Sequence, residues 1–239
     1  MSALIVVQAR MGSKRFPGKT LATLNGRPVL EWVLRRCLAA HSTVTTILAT
    51  TDQPEDDPLI PIARALGADV FRGSPTDVLG RFSAAIQCHP ADVVVRVCAD
   101  RPLVAPELID AAVATYLEKK PDLAFNHVAA PGFNWPRGFG AEVLSSDLLR
   151  WLDRNTTSKP HREHVTLYLW DHQDRYAITS PSCPADLDPG FPGLALDVDH
   201  AEDLDRLRDL CFGLDVTAPA NRIMARWRSS TDPIAIEST

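Results

Sequence analysis

Ala3-Leu4-Ile5-Val6-Val7 runs directly into Gln8-Ala9-Arg10-Met11-Gly12-Ser13-Lys14-Arg15-Phe16-Pro17-Gly18-Lys19-Thr20, and the way this junction is read decides the fold. The apolar run is long enough for one buried strand and far short of the roughly 20 residues of a membrane span. From Arg10 to Thr20 the chain holds four cationic side chains, two glycines and two hydroxyls in eleven residues. A strand followed by a glycine-containing cationic loop offers backbone N–H groups and positive charge to a phosphate. The competing reading is a solvated basic loop. The position at a strand end, with Gly12 and Gly18 bracketing the charges, favours a phosphate role for Arg10, Arg15 and Lys19.

Ser13 to Thr20 lies one residue from the Walker A pattern, with Ser13 where the first glycine belongs. A Walker loop must enter a helix whose N-terminus holds the phosphates. Asn25-Gly26 and Pro28 interrupt any such helix within one or two turns, so a P-loop kinase or ATPase is disfavoured.

Outward from this loop the pattern alternates. Val29 to Ala40 has helical periodicity, with Glu31 early and Arg35-Arg36 late, as the helix dipole favours. Val44–Thr50 reads as a strand, 58–66 as a helix ended by Gly67, and 69–71 as a short strand. Gly73-Ser74-Pro75 is a turn, 77–86 a helix, 92–98 an apolar strand, and 106–117 a helix opened by proline. Alternation about every 20 to 25 residues predicts a mainly parallel sheet flanked by helices, an α/β fold whose ligands sit at the carboxyl ends of the strands. The pattern then breaks. Residues 125–141 read as irregular or hairpin-like, including Pro131, Gly132 and Phe133. A strand at 142–144, a helix at 146–153, a strand at 175–180 and a loop over 181–193 follow. Leu194–Asp199 reads as a strand ending in acid, then helices at 201–211 and 219–227 and a fraying polar tail.

The net charge of −5 argues against a general nucleic-acid binder while allowing a local basic pocket. Five scattered cysteines without a C-x-x-C predict reduced, mostly buried thiols. The chain opens on a strand, with no leader and no membrane-length apolar run, so a cytoplasmic enzyme is expected.

Two acidic strand ends offer a metal. Asp100 is either an Asx-turn residue or a Mg²⁺ ligand, since Mg²⁺ beside phosphates uses one or two carboxylates plus water. Asp197 and Asp199, two apart on one strand face, are able to address one ion. Asp199 with Glu202 also fits a helix capping box. His161-Arg162-Glu163-His164 lacks the spacing of a zinc site.

These residues together resemble a known family. Gln8-Ala9-Arg10-Met11-Gly12-Ser13-x-Arg15-x-Pro17-Gly18-Lys19 is similar to the opening signature of the cytidylyltransferases of the spore-coat polysaccharide type, related to the acylneuraminate and Kdo cytidylyltransferases. Ala49-Thr50-Thr51-Asp52, Phe71-Arg72-Gly73-Ser74-x-x-Asp77-Val78-Leu79-x-Arg81-Phe82, Val95-Arg96-Val97-x-Ala99-Asp100-x-Pro102-Leu103, Arg162-Glu163-His164-Val165-Thr166 and Asp197-Val198-Asp199-x-x-Glu202-Asp203-Leu204 resemble later blocks in the same order.

The resemblance implies a single nucleotide-diphospho-sugar transferase-like (GT-A/Rossmann-like) domain over 1–239. Residues 1–124 would form the nucleotide half, 125–193 the acceptor and dimerisation region, and 194–239 the returning metal-binding strand with the C-terminal helices. It implies CTP as donor, Mg²⁺ as cofactor, CMP transfer with pyrophosphate release, and a homodimer, with no nucleic-acid or membrane partner. Arg10, Ser13, Arg15 and Lys19 would hold the triphosphate, with Gln8, Ala9, Gly12 and Asp77 also at the nucleotide. Thr50, Asp52, Gly73 and Ser74 would select the cytosine. Asp100 and Asp199, assisted by Asp197, would hold the metal, and Arg10, Arg15, Lys19 and Asp100 would be catalytic. Asn126, Arg137, Glu142, Arg162, Glu163 and His164 would meet the acceptor.

The middle block departs from the family pattern Tyr-Pro-Asp-Gly-Leu-Asp-x-Glu-Val. Here Trp135-Pro136-Arg137-Gly138-Phe139-Gly140-Ala141-Glu142-Val143 puts Arg137 and Gly140 where acids stand. Arg137 therefore hints at a small anionic acceptor such as a sugar acid, phosphate or phosphonate. A nucleotide-sugar-dependent glycosyltransferase and a non-catalytic nucleotide binder are the alternatives. The cationic loop argues against the first, and the joint presence of Arg15, Lys19, Asp100 and Asp199 against the second.

Overall fold

The computed structural model describes residues 2–43, 45–127, 134–188 and 194–230. Expectations for Val44, for Pro131, Gly132 and Phe133, for the end of the 181–193 loop and for the tail past Ser230 lie outside the described residues. In chain order the elements are β1 (Ala3–Gln8), β2 (Thr23–Leu24), β3 (Arg27–Pro28), α1 (Val29–Leu38), β4 (Thr45–Thr51), α2 (Leu59–Ala65), β5 (Asp69–Gly73), α3 (Val78–Cys88), β6 (Val93–Cys98) and α4 (Pro106–Lys119). Then come β7 (Leu123–Phe125), β8 (Glu142–Ser145), α5 (Ser146–Asn155), α6 (Lys159–Glu163), α7 (Leu167–Asp171), β9 (Ile178–Thr179), α8 (Ala201–Cys211) and α9 (Ala220–Ser230).

One seven-stranded sheet runs in the order β5-β4-β1-β6-β8-β7-β9. β5, β4, β1 and β6 are mutually parallel, and β8 joins β6 antiparallel. β1 and β6 are central and covered on both faces, which is why their sequences are continuous apolar runs instead of alternating ones. On one face Ile5, Val7 and Val95 pack against Val33 and Leu34 of α1 and Ile109 of α4. On the other, Leu4, Val6 and Val94 meet Phe82 of α3 and Leu149 of α5. The fold is the mixed, mainly parallel α/β sheet that the sequence predicts.

A third apolar cluster lies off the sheet. Leu24, Trp32, Trp135 and Phe139 pack with Leu207 of α8 and Ile223 of α9. Asn25 and Gly26 both have positive φ, 46° and 82°, as a two-residue type I′ turn between β2 and β3 requires. This hairpin replaces the helix that a Walker loop would enter. Arg36, fully buried on α1, ties the cluster to the sheet layer by donating to Val104 O at 2.6 Å, Val216 O at 2.7 Å and Ala218 O at 2.9 Å.

Two expectations need correction. Leu194–Asp199 is not a sheet strand; its one ladder contact is an isolated parallel bridge from Ala195 to Arg137. β6 already has β1 on one side and β8 on the other, so no edge is left there. Leu196 and Val198 turn into the third cluster instead. The cap of α8 also shifts by one residue. His200 is the N-cap, and Asp203, not Glu202, accepts the N–H groups of Asp199 and His200, both at 2.9 Å.

All five cysteines are free, with Cys37, Cys98 and Cys211 buried. No helix among the described residues is long and apolar enough to cross a membrane.

Candidate active site

The carboxyl ends of β1 and β6 lie side by side, and the ladder continues past them through Ala99 N–H to Gln8 O at 2.9 Å. The loop after β1 folds on itself. Ser13 and Gly18 both donate backbone N–H to Met11 O, at 2.8 and 3.3 Å, and Thr20 Oγ1 donates to Arg10 O at 3.0 Å. Gly18, at φ 76°, makes the left-handed step that turns the chain into the short 3₁₀ turn at Lys19. Asp56, 1% exposed, fastens the loop to β4: it accepts Met11 N–H at 2.6 Å and the hydroxyls of Thr50 and Thr51.

A cleft of about 350 Å³ opens over these strand ends. Gln8, Ala9, Arg10, Ser13, Arg15, Lys19, Asp100, Glu163, His164 and Asp199 all line it, so residues far apart in sequence converge as the strand-end rule expects. Five cationic side chains (Arg10, Lys14, Arg15, Lys19, Arg81) face three carboxylates (Asp100, Glu163, Asp199). This local positive excess in a chain of net charge −5 suits a polyanion.

Lys19 is the centre of the cleft. Its Nζ donates to Asp100 Oδ2 at 3.0 Å, Asp199 Oδ1 at 3.2 Å and Val198 O at 2.6 Å. Val198 N–H in turn donates to Asp100 O at 2.7 Å, which locks the two acidic segments together. Arg15, largely exposed, reaches Asp199 at 3.0 Å. Arg10 donates to Pro75 O at 3.2 Å and faces Glu163 at 3.6 Å.

Asp100 and Asp199 thus address one cation position with hard oxygen donors, joined by a backbone carbonyl. This donor chemistry fits Mg²⁺, which binds through one or two carboxylates and substrate phosphates. No cluster of three or more His, Cys, Asp or Glu side chains suited to a metal occurs among the described residues. Asp197 points elsewhere, to Arg137 Nε at 3.0 Å.

Other expected site residues have internal partners. Asp77 caps α3 through Gly80 N–H at 2.9 Å and pairs with Arg162 through both carboxylate oxygens. Burial alone would raise the Asp77 carboxyl, but Arg162 and the Gly80 N–H outweigh it and hold it below its usual value. Arg162 also donates to Asp153 Oδ1 at 2.7 Å and Asp153 O at 2.6 Å. Glu142, 2% exposed, pairs with Arg96 and accepts Thr166 Oγ1 at 2.8 Å. Asn126 spends its amide on Leu108 O at 2.6 Å and Ala141 N–H at 3.0 Å. Thr50 is buried on Asp56, Ser74 Oγ caps its own turn by accepting from Asp77 N–H at 3.2 Å, and Asp52 N–H bonds Gly73 O at 3.0 Å. Gly12, Thr50, Asp52, Gly73, Ser74 and Asp77 do not line the cleft, nor do Asn126, Arg137, Glu142, Arg162 and Asp197.

Arg81 does line it and carried no assigned role in the sequence. It is 3% exposed, and its Nη1 donates to Ser74 O at 2.7 Å. Burial, with Arg10 nearby, pushes it down to about 10, so it remains charged at neutral pH. An arginine on the buried side of an otherwise apolar helix was the available signal. Cys98 is also a cleft residue, and burial pushes its thiol up, away from the thiolate a nucleophile needs.

Known proteins resemble this chain in sequence or in fold. The spore coat polysaccharide biosynthesis protein SpsF of Bacillus subtilis is 31% identical over 212 residues, covering 87% of this chain and 85% of that protein. A cytidylyltransferase from Leptospira borgpetersenii superposes with a TM-score of 0.88 at 24% identity, covering 100% of this chain and 99% of that one. A CMP:2-keto-3-deoxy-manno-octonic acid synthetase complexed with CTP superposes with a TM-score of 0.66 at 19% identity, covering 88% and 98%. The family profile described as cytidylyltransferase matches residues 4–204. The chain belongs to the cytidylyltransferase family and is, as such, a nucleotidyltransferase.

Proposed function

We propose that this enzyme transfers CMP from CTP to a small anionic, sugar-derived acceptor and releases pyrophosphate. The observation that carries the proposal is the meeting of Lys19 with Asp100 and Asp199 in a cleft also lined by Arg10 and Arg15. CTP is taken as donor from the family membership and from the synthetase whose structure is complexed with that nucleotide. The relationship to the spore coat protein supports a place in polysaccharide biosynthesis.

In the reaction an acceptor oxygen bonds to the α-phosphorus of CTP as the bond to the β-phosphate bridging oxygen breaks. Pyrophosphate leaves with that electron pair, and a proton on a hydroxyl acceptor passes to water. Little covalent work falls to the protein; positioning and charge stabilisation dominate. Arg10, Arg15 and Lys19 hold the triphosphate and stabilise the charge that builds on departing pyrophosphate. Asp100 and Asp199 would hold Mg²⁺, which when bound neutralises phosphate charge and polarises the phosphoryl group. Arg81 fixes the wall beside Arg10. The half-buried aromatic cluster of Trp151, Tyr168 and Tyr176 supports a homodimer through the α5–α7 face, which light scattering would test. A cytoplasmic setting accords with five free thiols.

The direct test is pyrophosphate release across the four nucleoside triphosphates, with sugar acids, polyol phosphates and phosphonates as acceptors. Release is expected only with CTP, Mg²⁺ and an anionic acceptor together. Turnover of a nucleoside-diphosphate sugar in place of CTP would establish the glycosyltransferase alternative.

A further inference from the structure

Lys19 faces two demands that conflict. To clamp a triphosphate it must turn its ammonium towards phosphate oxygens. In the structure that ammonium is already spent: Nζ donates to Asp100 Oδ2 at 3.0 Å, to Asp199 Oδ1 at 3.2 Å and to Val198 O at 2.6 Å. A lysine head has three donors and no acceptor, so all three are engaged. The side chain is 13% exposed. Its three acceptors are the same hard oxygens that form the cation position of the cleft. One position therefore serves two cations, Lys19 and the divalent metal.

The surroundings explain why a cation sits there. Backbone bonds fix both acidic segments, with Val198 N–H donating to Asp100 O at 2.7 Å and Asp199 N–H to Asp203 Oδ2 at 2.9 Å. Two partly buried carboxylates that share one nitrogen would repel each other if no cation lay between them. Arg15 reaches Asp199 at 3.0 Å, but from a side chain 60% exposed, so it is a weak substitute. Lysine is also suited to leaving. Its charge is compact and rides on a flexible four-carbon stem. The root of that stem stays put, because Lys19 N–H bonds Phe16 O at 3.2 Å and Gly18 fixes the turn. The head is thus free to change partners without refolding the loop.

We propose that Lys19 is the resident counter-ion of the metal position and exchanges there with the divalent cation. Without metal, Lys19 keeps Asp100 and Asp199 assembled and is withheld from phosphate. With the metal on those oxygens, the Lys19 ammonium is released to the triphosphate. This rests on the CTP and Mg²⁺ reading proposed above. Lys19 thereby couples the two ligands: the metal makes its phosphate contact available, and by linkage the nucleotide tightens the metal.

The test uses Mn²⁺, whose free ion is counted by electron paramagnetic resonance, and an α,β-methylene analogue of CTP, which blocks transfer. Mn²⁺ alone should bind Lys19→Met about tenfold or more tightly than wild type, because no charge-assisted contact has to be broken first. Titration of the analogue with chelator and with saturating Mn²⁺ gives the metal enhancement of nucleotide affinity. That enhancement should be at least about fivefold smaller in Lys19→Met than in wild type. A through-space effect of one lost charge would shift each affinity separately and leave the enhancement unchanged. Wild type offers a check that needs no variant. Reductive methylation read by mass spectrometry should modify Lys19 slowly without metal and severalfold faster with Mn²⁺, while exposed Lys14 stays constant. Labelling of Lys19 unmoved by saturating Mn²⁺, Mn²⁺ binding no tighter in Lys19→Met, or an equal enhancement in both proteins would overturn the exchange. Failure of wild type to bind the analogue with Mn²⁺ present would instead overturn the cytidylyltransfer itself.

Discussion

Lys19 and Arg162 look alike as local chemistry: each is a cation held between two carboxylates, Asp100 and Asp199 in one case, Asp77 and Asp153 in the other. They differ in where the topology puts them. Lys19 sits at the carboxyl ends of the central parallel strands and lines the cleft. Arg162 joins α6 to the cap of α3 and to the end of α5, and does not line it. The same arrangement of charges is a site where the sheet leaves room for a ligand and a staple where it does not. The contrast yields separable outcomes for activity and stability.

The largest effect is expected from the cleft. Asp100→Ala should lower turnover about a thousandfold or more, in the range seen when a group that stabilises transition-state charge is removed. Its melting temperature should stay close to wild type, because Asp100 is partly exposed and its backbone bonds remain. Full activity in this variant would remove Asp100 from the catalytic centre. Asp77→Ala should do the reverse. Loss of an N-cap costs about 1 kcal/mol, and loss of one of the two carboxylates that hold the half-buried Arg162 brings the total to roughly 2–3 kcal/mol. That is about 4–12 °C of melting temperature for a chain of this size. CTP affinity of the folded protein should be unchanged; a selective loss of CTP binding without destabilisation would make Asp77 a ligand contact.

A smaller effect separates the acidic network under the cleft from the cleft itself. Burial first, and Arg101 second, push His127 down to about 3 from an ordinary 6.5. Below pH 6.5 the unfolded chain takes up a proton there that the folded chain refuses, so stability falls with pH. The loss reaches on the order of 2 kcal/mol by pH 5. Burial pushes Glu142 up, but Arg96, His127 and Arg101 outweigh it and hold the carboxylate at about 2 against 4.5. Its contribution is present above pH 4.5 and lost as pH falls towards 2. Thermal melts from pH 8 to pH 4 should therefore decline below about 6.5, and His127→Asn should flatten the upper part of that decline. A flat wild-type profile would contradict the buried network. The smallest effect is expected at Arg137→Gln: its partner Asp197 forms an exposed pair, worth about 0–1 kcal/mol.

The strand-loop junction at β1 was legible because hydrophobic runs, turn glycines and charge all report on the local chain. The central strands and the type I′ turn at Asn25-Gly26 follow directly from those signals. The position of 194–199 was not legible, because a strand pattern does not say whether an edge is free to receive it. The sorting of ionised residues was not legible for the same reason. Glu142 and Arg162 sit in motif blocks like Asp100 does, and only the fold shows that Arg96 and Asp77 already consume them. Gly140 illustrates the point from the other side. It stands where the family pattern has an acid. In the structure a Cβ at that position would fall 2.1 Å from Asn126 O, so the backbone of Asn126 fills the place a side chain would need.

The cleft around Lys19 is proposed to bind a cytidine triphosphate. Isothermal titration of each of the four nucleoside triphosphates with Mg²⁺, into wild type and Lys19→Met, tests it most directly. CTP should bind wild type, the other three should bind at least about tenfold more weakly, and Lys19→Met should weaken CTP about 10- to 100-fold, as loss of a charge-assisted phosphate contact requires. Equal binding of all four nucleotides, or CTP binding undiminished in Lys19→Met, would contradict it.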